Sequence, residues 1–282
     1  MPISPRIMSR LGQRIMSSEM SERLKRFHFR DAGHGFDVFG LSPGYVEFGV
    51  GLTRWPYDTW FRVLSQGHQH IPKTGAAILA GNHSGNLPFD GMMLWADVVR
   101  NTDPPRVVRG IGDHFVPALP FVGTLFARAG MVGGSRGNVR ALLESGELLM
   151  IFPEGTPGII KPFEERYQLR KFRLGHAELA IRNRAPIVPV GIVGAEEQMP
   201  ALFSSKYLGA LFGLEALPIP ITPLPLPVRY RIYYGEPIDV AGRFSPEDAD
   251  DPLTLEHVAA EVQAAVQSLL EKGLSERKGI FR

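Results

Sequence analysis

The chain has no cysteine among its 282 residues, so disulfides, thiolate nucleophiles and cysteine-held metals are excluded. Histidine is sparse, eight in all, and no His-Glu-x-x-His pattern sets two of them on one helix face. Only His68 and His70 stand close together. Alternating in a strand they would share one side, and they read as surface residues rather than metal ligands. No apolar run reaches the roughly 18 residues that a membrane-spanning helix needs. The N-terminus has neither the compact apolar core nor the small-residue cleavage site of a signal peptide. Catalytic and nucleotide motifs are missing too. Ser84 sits in Gly81-Asn82-His83-Ser84-Gly85, which is not Gly-x-Ser-x-Gly, and neither Gly33-x-Gly35 nor Gly110-x-Gly112 continues into a dinucleotide fingerprint.

What is present suits one large α/β domain, or one domain with a small appendage: 44% of residues are hydrophobic. The formal net charge of +2 hides an asymmetry. Residues 1–30 carry seven Lys/Arg against two Glu, while 241–271 carry seven Asp/Glu against Arg243 alone. No nucleic-acid partner is expected.

The chain is organised around Gly81-Asn82-His83-Ser84-Gly85-Asn86-Leu87-Pro88-Phe89-Asp90. The apolar run 76–80 before it has the length and flanks of a buried strand. Pro88 suits the first position of a helix running on towards Val99. His83 then leaves a strand and Asp90 enters a helix. A neutral imidazole held by a carboxylate can take a proton from a hydroxyl near pH 7. In one continuous helix the two backbones would lie roughly 10 Å apart, so contact requires a bend, which Gly85-Asn86 favours. A turn-capping histidine and a helix-start aspartate fit the decapeptide equally well.

Along the chain, Pro5 to Phe27 reads as one basic amphipathic helix, with Ile7, Leu11 and Ile15 beside a row of Arg6, Arg10 and Arg14. Such a stripe serves either to lie on anionic lipid or to pack on the domain. Asp31 to Tyr57 reads as a connector with a short helix. Strands are predicted at 59–66, 76–80, 106–109, 148–152, 187–193 and 228–234, and helices at 115–128, 139–144, 172–184 and 255–270. Strands alternating with helices from 60 to 193 predict an α/β fold: a mixed, largely parallel sheet flanked by helices, with an N-terminal amphipathic helical segment. The expected division is a helical, membrane-associating segment at 1–57 and an α/β domain at 58–282. Residues 200–227, apolar and rich in proline, are expected to hold no regular element and to form a lid, a membrane-contacting surface or a loop packed on its own core.

Asn82-His83 with a downstream Asp, a glycine-rich segment ending at Arg136, Phe152-Pro153-Glu154-Gly155-Thr156, and Ile187-Val188-Pro189-Val190 follow one another in order. Over residues 58–240 this resembles the four blocks of the glycerolipid acyltransferase superfamily, of the 1-acylglycerol-3-phosphate and monoacylglycerol types. The resemblance implies an O-acyltransferase of lipid metabolism and phospholipid biosynthesis. It would move a fatty acyl group from acyl-CoA or acyl carrier protein to a hydroxyl of a lysophospholipid or related glycerolipid, with no cofactor and no metal. The family's general base matches His83 and its aspartate partner Asp90. Arg136 matches the arginine that binds acceptor phosphate, and Glu154, Gly155 and Thr156 match the block that holds the acceptor's hydroxyls. Two positions depart from the pattern. The usual His–Asp spacing would put the carboxylate at Pro88, and a phosphate-clamping lysine is replaced by Asp113. The expected location is peripheral, on the cytoplasmic face of a membrane. A non-catalytic lipid-binding protein and an esterase with water as acceptor are the alternative readings.

Overall fold

The computed structural model describes residues 3–84, 87–112, 121–211 and 217–282. The Gly85–Asn86 bend, Asp113 and the first part of the helix predicted from Phe115 lie outside the described residues. Two short helices open the chain, α1 (Pro5–Ile15) and α2 (Ser18–Leu24), followed by α3 (Pro43–Trp55). Then come β1 (Leu64–Gln66), β2 (Ala77–Gly81), α4 (Phe89–Asn101), β3 (Arg109–Gly112), α5 (Val122–Arg128), β4 (Val132–Gly133), α6 (Arg136–Glu144) and β5 (Leu148–Ile151). The second half holds α7 (Thr156–Ile159), α8 (Gly175–Arg182), β6 (Ile187–Val193), β7 (Ala201–Ser205), α9 (Lys206–Leu211), β8 (Leu217–Pro220), β9 (Arg231–Tyr234) and α10 (Pro252–Glu276).

Seven strands form one sheet in the order β1-β9-β6-β2-β5-β3-β4. Among the described residues of this sheet, only the β6–β9 pairing is antiparallel. β2 lies at the centre and is buried along its whole length, as the apolar run before His83 predicts. Its side chains alternate between two cores, the period of a strand covered on both faces. Ala77 and Leu79 join Val46, Val50, Met93 and Leu94 on one side. Ile78 and Ala80 join Leu142, Ile181, Val262 and Leu270 on the other. Each such Leu, Ile or Val withdrawn from water contributes about 1.5–3 kcal/mol.

Several elements differ from expectation. The single N-terminal helix is two, because the Ser17 hydroxyl accepts the Met20 N–H at 3.2 Å and starts a new helix. The short helix expected within 31–57 is the 13-residue α3, longer than its periodicity shows because glycines that serve packing blur it. A Cβ at Gly12 would lie 2.6 Å from the Glu47 and Phe48 backbone, so α1 and α3 cross at backbone contact. Residues 56–60 form a π-helical turn, leaving only 64–66 as strand, and His68–His70 is a 3-10 turn. The 106–109 strand is shifted to 109–112, and α4 begins at Phe89 with Pro88 as its cap. The region 200–227 is not irregular throughout, for β7 and β8 pair as a two-stranded antiparallel sheet. Pro218 and Pro220 are tolerated in β8 because alternate positions put both missing N–H groups on one edge.

α4 is anchored from below. Asp97 is fully buried and accepts hydrogen bonds from the Tyr57 hydroxyl, from the Tyr234 hydroxyl at 2.6 Å and from Asn101 Nδ2 at 2.8 Å. This carboxylate ties the helix to β9 and to the π-turn, and Asp90 sits two helical turns earlier on the same side.

Candidate active site

The turn that leaves β2 is held residue by residue. The side chain of Asn82 imitates a strand partner: its Nδ2 donates to the Ile192 carbonyl at 3.0 Å, and its Oδ1 accepts the Ile192 N–H at 2.8 Å. His83 follows, with its side chain 18% accessible. Its Nδ1 lies 2.7 Å from Asp90 Oδ2. Asp90 is wholly buried, and also accepts the Ser84 N–H at 2.9 Å and the Gly91 N–H at 2.7 Å. A carboxylate fixed by backbone donors selects the Nδ1–H tautomer, which places the imidazole lone pair on Nε2. Six residues separate His83 from Asp90, two more than the family pattern, and the pair is nevertheless in contact.

The exit of β5 supplies the second wall. The Ala80–Ile151 register sets Phe152 beside the turn. Its ring stacks on the imidazole with centroids 4.3 Å apart and planes 10° from parallel. Glu154 is buried behind it. Its Oε1 accepts the His83 N–H at 3.0 Å, and its Oε2 accepts the Arg170 N–H at 2.8 Å and stands 3.3 Å from Lys161 Nζ. Gly155 has φ 60° and ψ −152°, a conformation open essentially to glycine alone, and a Cβ there would lie 2.7 Å from the Arg173 guanidinium carbon. Thr156 opens the four-residue α7.

Arg136 stands apart from this set. It opens α6 with its side chain 85% exposed and pairs with Glu178 of α8 at 3.2 Å. The structure thus gathers His83, Asp90, Glu154 and Gly155 around the ends of β2 and β5, while Arg136 pairs with Glu178 of α8 instead. The sequence names Phe152 only as the first residue of its block and gives no role to Lys161, Arg173 or Glu196. Phe152 reads as the end of a core strand, and nothing in the spacing of the other three points to the site. His176 acts nearby, its Nδ1–H donating to the Arg173 carbonyl at 2.8 Å while burial lowers its pKa to about 4. Among the described residues no group of His, Asp and Glu is arranged to hold a metal ion.

The Lys161 side chain is 2% exposed and bridges Glu154 to Glu196, whose Oε1 lies 3.2 Å from Nζ. Glu196 Oε2 accepts the Tyr167 N–H at 3.0 Å. Burial raises the Glu196 pKa to about 7 despite the lysine and the backbone donor, and the nearby Glu154 charge adds to the rise.

A family model described as Acyltransferase matches residues 62–193. The chain is 40% identical over 258 residues to an uncharacterized protein of Mycobacterium tuberculosis, covering 88% of this chain and 72% of that one. It is 28% identical over 215 residues to the Bos taurus DGAT1/2-independent enzyme synthesizing storage lipids, covering 76% of this chain and 60% of that one. Its fold is similar to the crystal structure of the 1-acyl-sn-glycerophosphate (LPA) acyltransferase, PlsC, from Thermotoga maritima. The TM-score is 0.56 at 17% identity, with 97% of each chain covered.

A carboxyl whose folded pKa is raised holds its proton more tightly in the folded than in the unfolded chain. The Glu196 contribution to stability is therefore complete below its ordinary pKa of 4.5 and is lost as pH rises through about 7. Melting temperatures of the intact chain should fall across that window, and Glu196→Gln should flatten the fall. An unchanged slope in the variant would assign the pH dependence to other groups.

Proposed function

The chain belongs to the glycerolipid acyltransferase superfamily, and on that footing we propose that it moves a fatty acyl group from an acyl thioester to a hydroxyl of a lysophospholipid or related glycerolipid. The thioester is one of coenzyme A or acyl carrier protein. His83 is the general base and Asp90 orients it. The observation that carries the reading is the 2.7 Å bond from His83 Nδ1 to a carboxylate with no solvent access.

The chemistry follows from the tautomer. Nε2 takes the proton of the acceptor hydroxyl as its oxygen attacks the thioester carbonyl. The buried Asp90 stabilises the imidazolium that forms. The tetrahedral intermediate collapses by breaking the C–S bond, and the imidazolium returns the proton to the departing thiolate. No acyl-enzyme is required, since the thioester is already activated and the acceptor is the nucleophile.

The acceptor's charge turns on Arg136. A phosphate-bearing acceptor would meet Arg136, at a helix N-terminus that favours anions. A second reading, a neutral glycerolipid acceptor, is favoured by the pairing of Arg136 with Glu178, which already answers its charge. The resemblance to an enzyme named for storage-lipid synthesis supports the same alternative.

The protein acts, in this reading, as a peripheral enzyme on the cytoplasmic face of a membrane, where acceptor and product reside. No helix among the described residues is long and apolar enough to cross a bilayer. α1 turns Met8, Gly12 and Met16 inward, yet Ile7, Leu11 and Ile15 remain 52%, 39% and 42% exposed. Leu52 and Trp55 of α3 are exposed as well, and Arg6, Arg10 and Arg14 stand exposed on α1. Phe203, Tyr207, Ile221 and Leu224 add apolar surface around the β7–β8 hairpin. Arg23 is not part of this face, because it donates to the Arg100 and Thr102 carbonyls.

His83→Ala should lower acyl transfer about 10²–10⁴-fold without unfolding the protein. Asp90→Asn should be nearly as severe. Near-normal turnover at either position would end the general-base reading. Arg136→Ala should raise the apparent KM for lysophosphatidic acid by the equivalent of about 1.5–3 kcal/mol and leave that for monoacylglycerol unchanged. Equal KM values for the phosphate acceptor before and after mutation would remove Arg136 from the site. Sedimentation with vesicles should rise with anionic lipid and fall with salt, each close arginine contributing about 1 kcal/mol. Replacing Ile7, Leu11 and Ile15 together by Ser should weaken it; unchanged binding would leave the β7–β8 region as the contact.

A further inference from the structure

We propose that Glu154, which the family resemblance implies is an acceptor ligand, acts instead as a positioning residue for the base. It works through the His83 backbone, with Lys161 as its counter-charge. The inference rests on the general-base reading of His83. It begins from a question of access. Both carboxylate oxygens of Glu154 are engaged by the protein, and the side chain has no solvent exposure. A Cβ at Gly158 would lie 2.9 Å from Glu154 Cβ and 3.2 Å from the His83 carbonyl oxygen, so the turn of α7 closes over the carboxylate. A glycerol hydroxyl would have to displace a backbone N–H or the lysine to reach it.

What the carboxylate does hold is the point where sheet pairing ends. β2 pairs with β6 as far as Gly81, and Asn82 extends that pairing with its side chain. The His83 N–H is the next donor along the chain, and Glu154 accepts it. The following N–H, that of Ser84, goes to Asp90. Consecutive amides on either side of the His83 Cα are thus fixed by two buried carboxylates. This sets the His83 backbone torsions and hence the direction of its Cβ, while Asp90 and the Phe152 ring set the imidazole itself. Lys161 gives the Glu154 charge a partner in a place without water, and reaches Glu196 and the Gln168 carbonyl as well. Removing one member of such a pair leaves a buried charge without compensation.

The test uses the whole 282-residue chain and steady-state transfer from acyl-CoA to a lysolipid, for Glu154→Gln and Lys161→Met, alone and combined with His83→Ala. Misplacing a catalytic group by about 1 Å costs on the order of 10²-fold in rate. The expected result is a fall of about 10–10²-fold in kcat for each single variant, with the acceptor KM within about threefold of wild type. On the residual rate of His83→Ala, adding Glu154→Gln should produce no further loss, because its effect passes through the imidazole. A rise in acceptor KM with kcat preserved, or losses that multiply in the double variant, would overturn the proposal and restore Glu154 as a ligand. Lys161→Met touches neither base nor acceptor and serves as the second route should Glu154→Gln melt at low temperature. The His83 amide and ring resonances separate this proposal from the reading beneath it. They should shift in Glu154→Gln even if His83→Ala were to retain full turnover, an outcome that would sink the general-base reading alone. Unshifted resonances would sink the positioning role.

Discussion

A carboxylate cut off from solvent persists at the mouth of this sheet because N–H groups converge on it. Asp90 is completely buried, and His83 Nδ1, Ser84 N and Gly91 N all point to it. Desolvating a carboxylate costs several kcal/mol, and charge-assisted hydrogen bonds at a helix N-terminus offset that cost. The requirement shapes everything around it. It sets where α4 begins and how the chain turns after β2. It also gives meaning to Asp97, whose bonds to Tyr57, Tyr234 and Asn101 keep α4 from sliding.

Parallel pairing then concentrates the chemistry at one edge. Because β2, β5 and β6 run the same way, their C-terminal ends open together. The turn after β2 brings the histidine, and the turn after β5 brings the stacked phenylalanine and the glutamate beneath it. The sheet's faces are closed by apolar helices on both sides, so polar groups gather where the strands stop. Three buried titratable side chains, Glu154, Lys161 and Glu196, lie there in one chain of contacts.

The N-terminal helix serves two surfaces at once. Its Gly12 side meets the backbone of α3, while Ile7 and Leu11 face outward and Ile15, still 42% exposed, rests partly on Gly51 of α3. An amphipathic pattern with one apolar stripe would permit only one of these. Here the inward face is made of methionine and glycine, which pack closely without a conspicuous aliphatic signal. The basic residues divide in the same way. Arg6, Arg10 and Arg14 remain on the surface, whereas Arg23 satisfies carbonyls at the end of α4.

The sequence by itself determined the elements whose signal is local. The uninterrupted apolar runs of β2, β5 and β6 announce doubly covered strands, and their alternation with helices announces the α/β class. The Asn82-His83, Phe152-to-Thr156 and Ile187-to-Val190 blocks mark the family. The extent of α3 was obscured because Gly44, Gly49 and Gly51 erase the helical period where α1 and Trp95 of α4 approach closely. The prolines of β8 masked a strand whose partner lies on one edge only. For the site, the residues of the pair were legible and their contact was not. Spacing alone left His83 and Asp90 either apart or together, and only the turn held by Asn82 on β6 decided it. The roles of Glu154 and Lys161 depend on burial and on which amide each oxygen meets. Those are properties of chain segments 71 residues apart in sequence, and only the folded sheet brings them together.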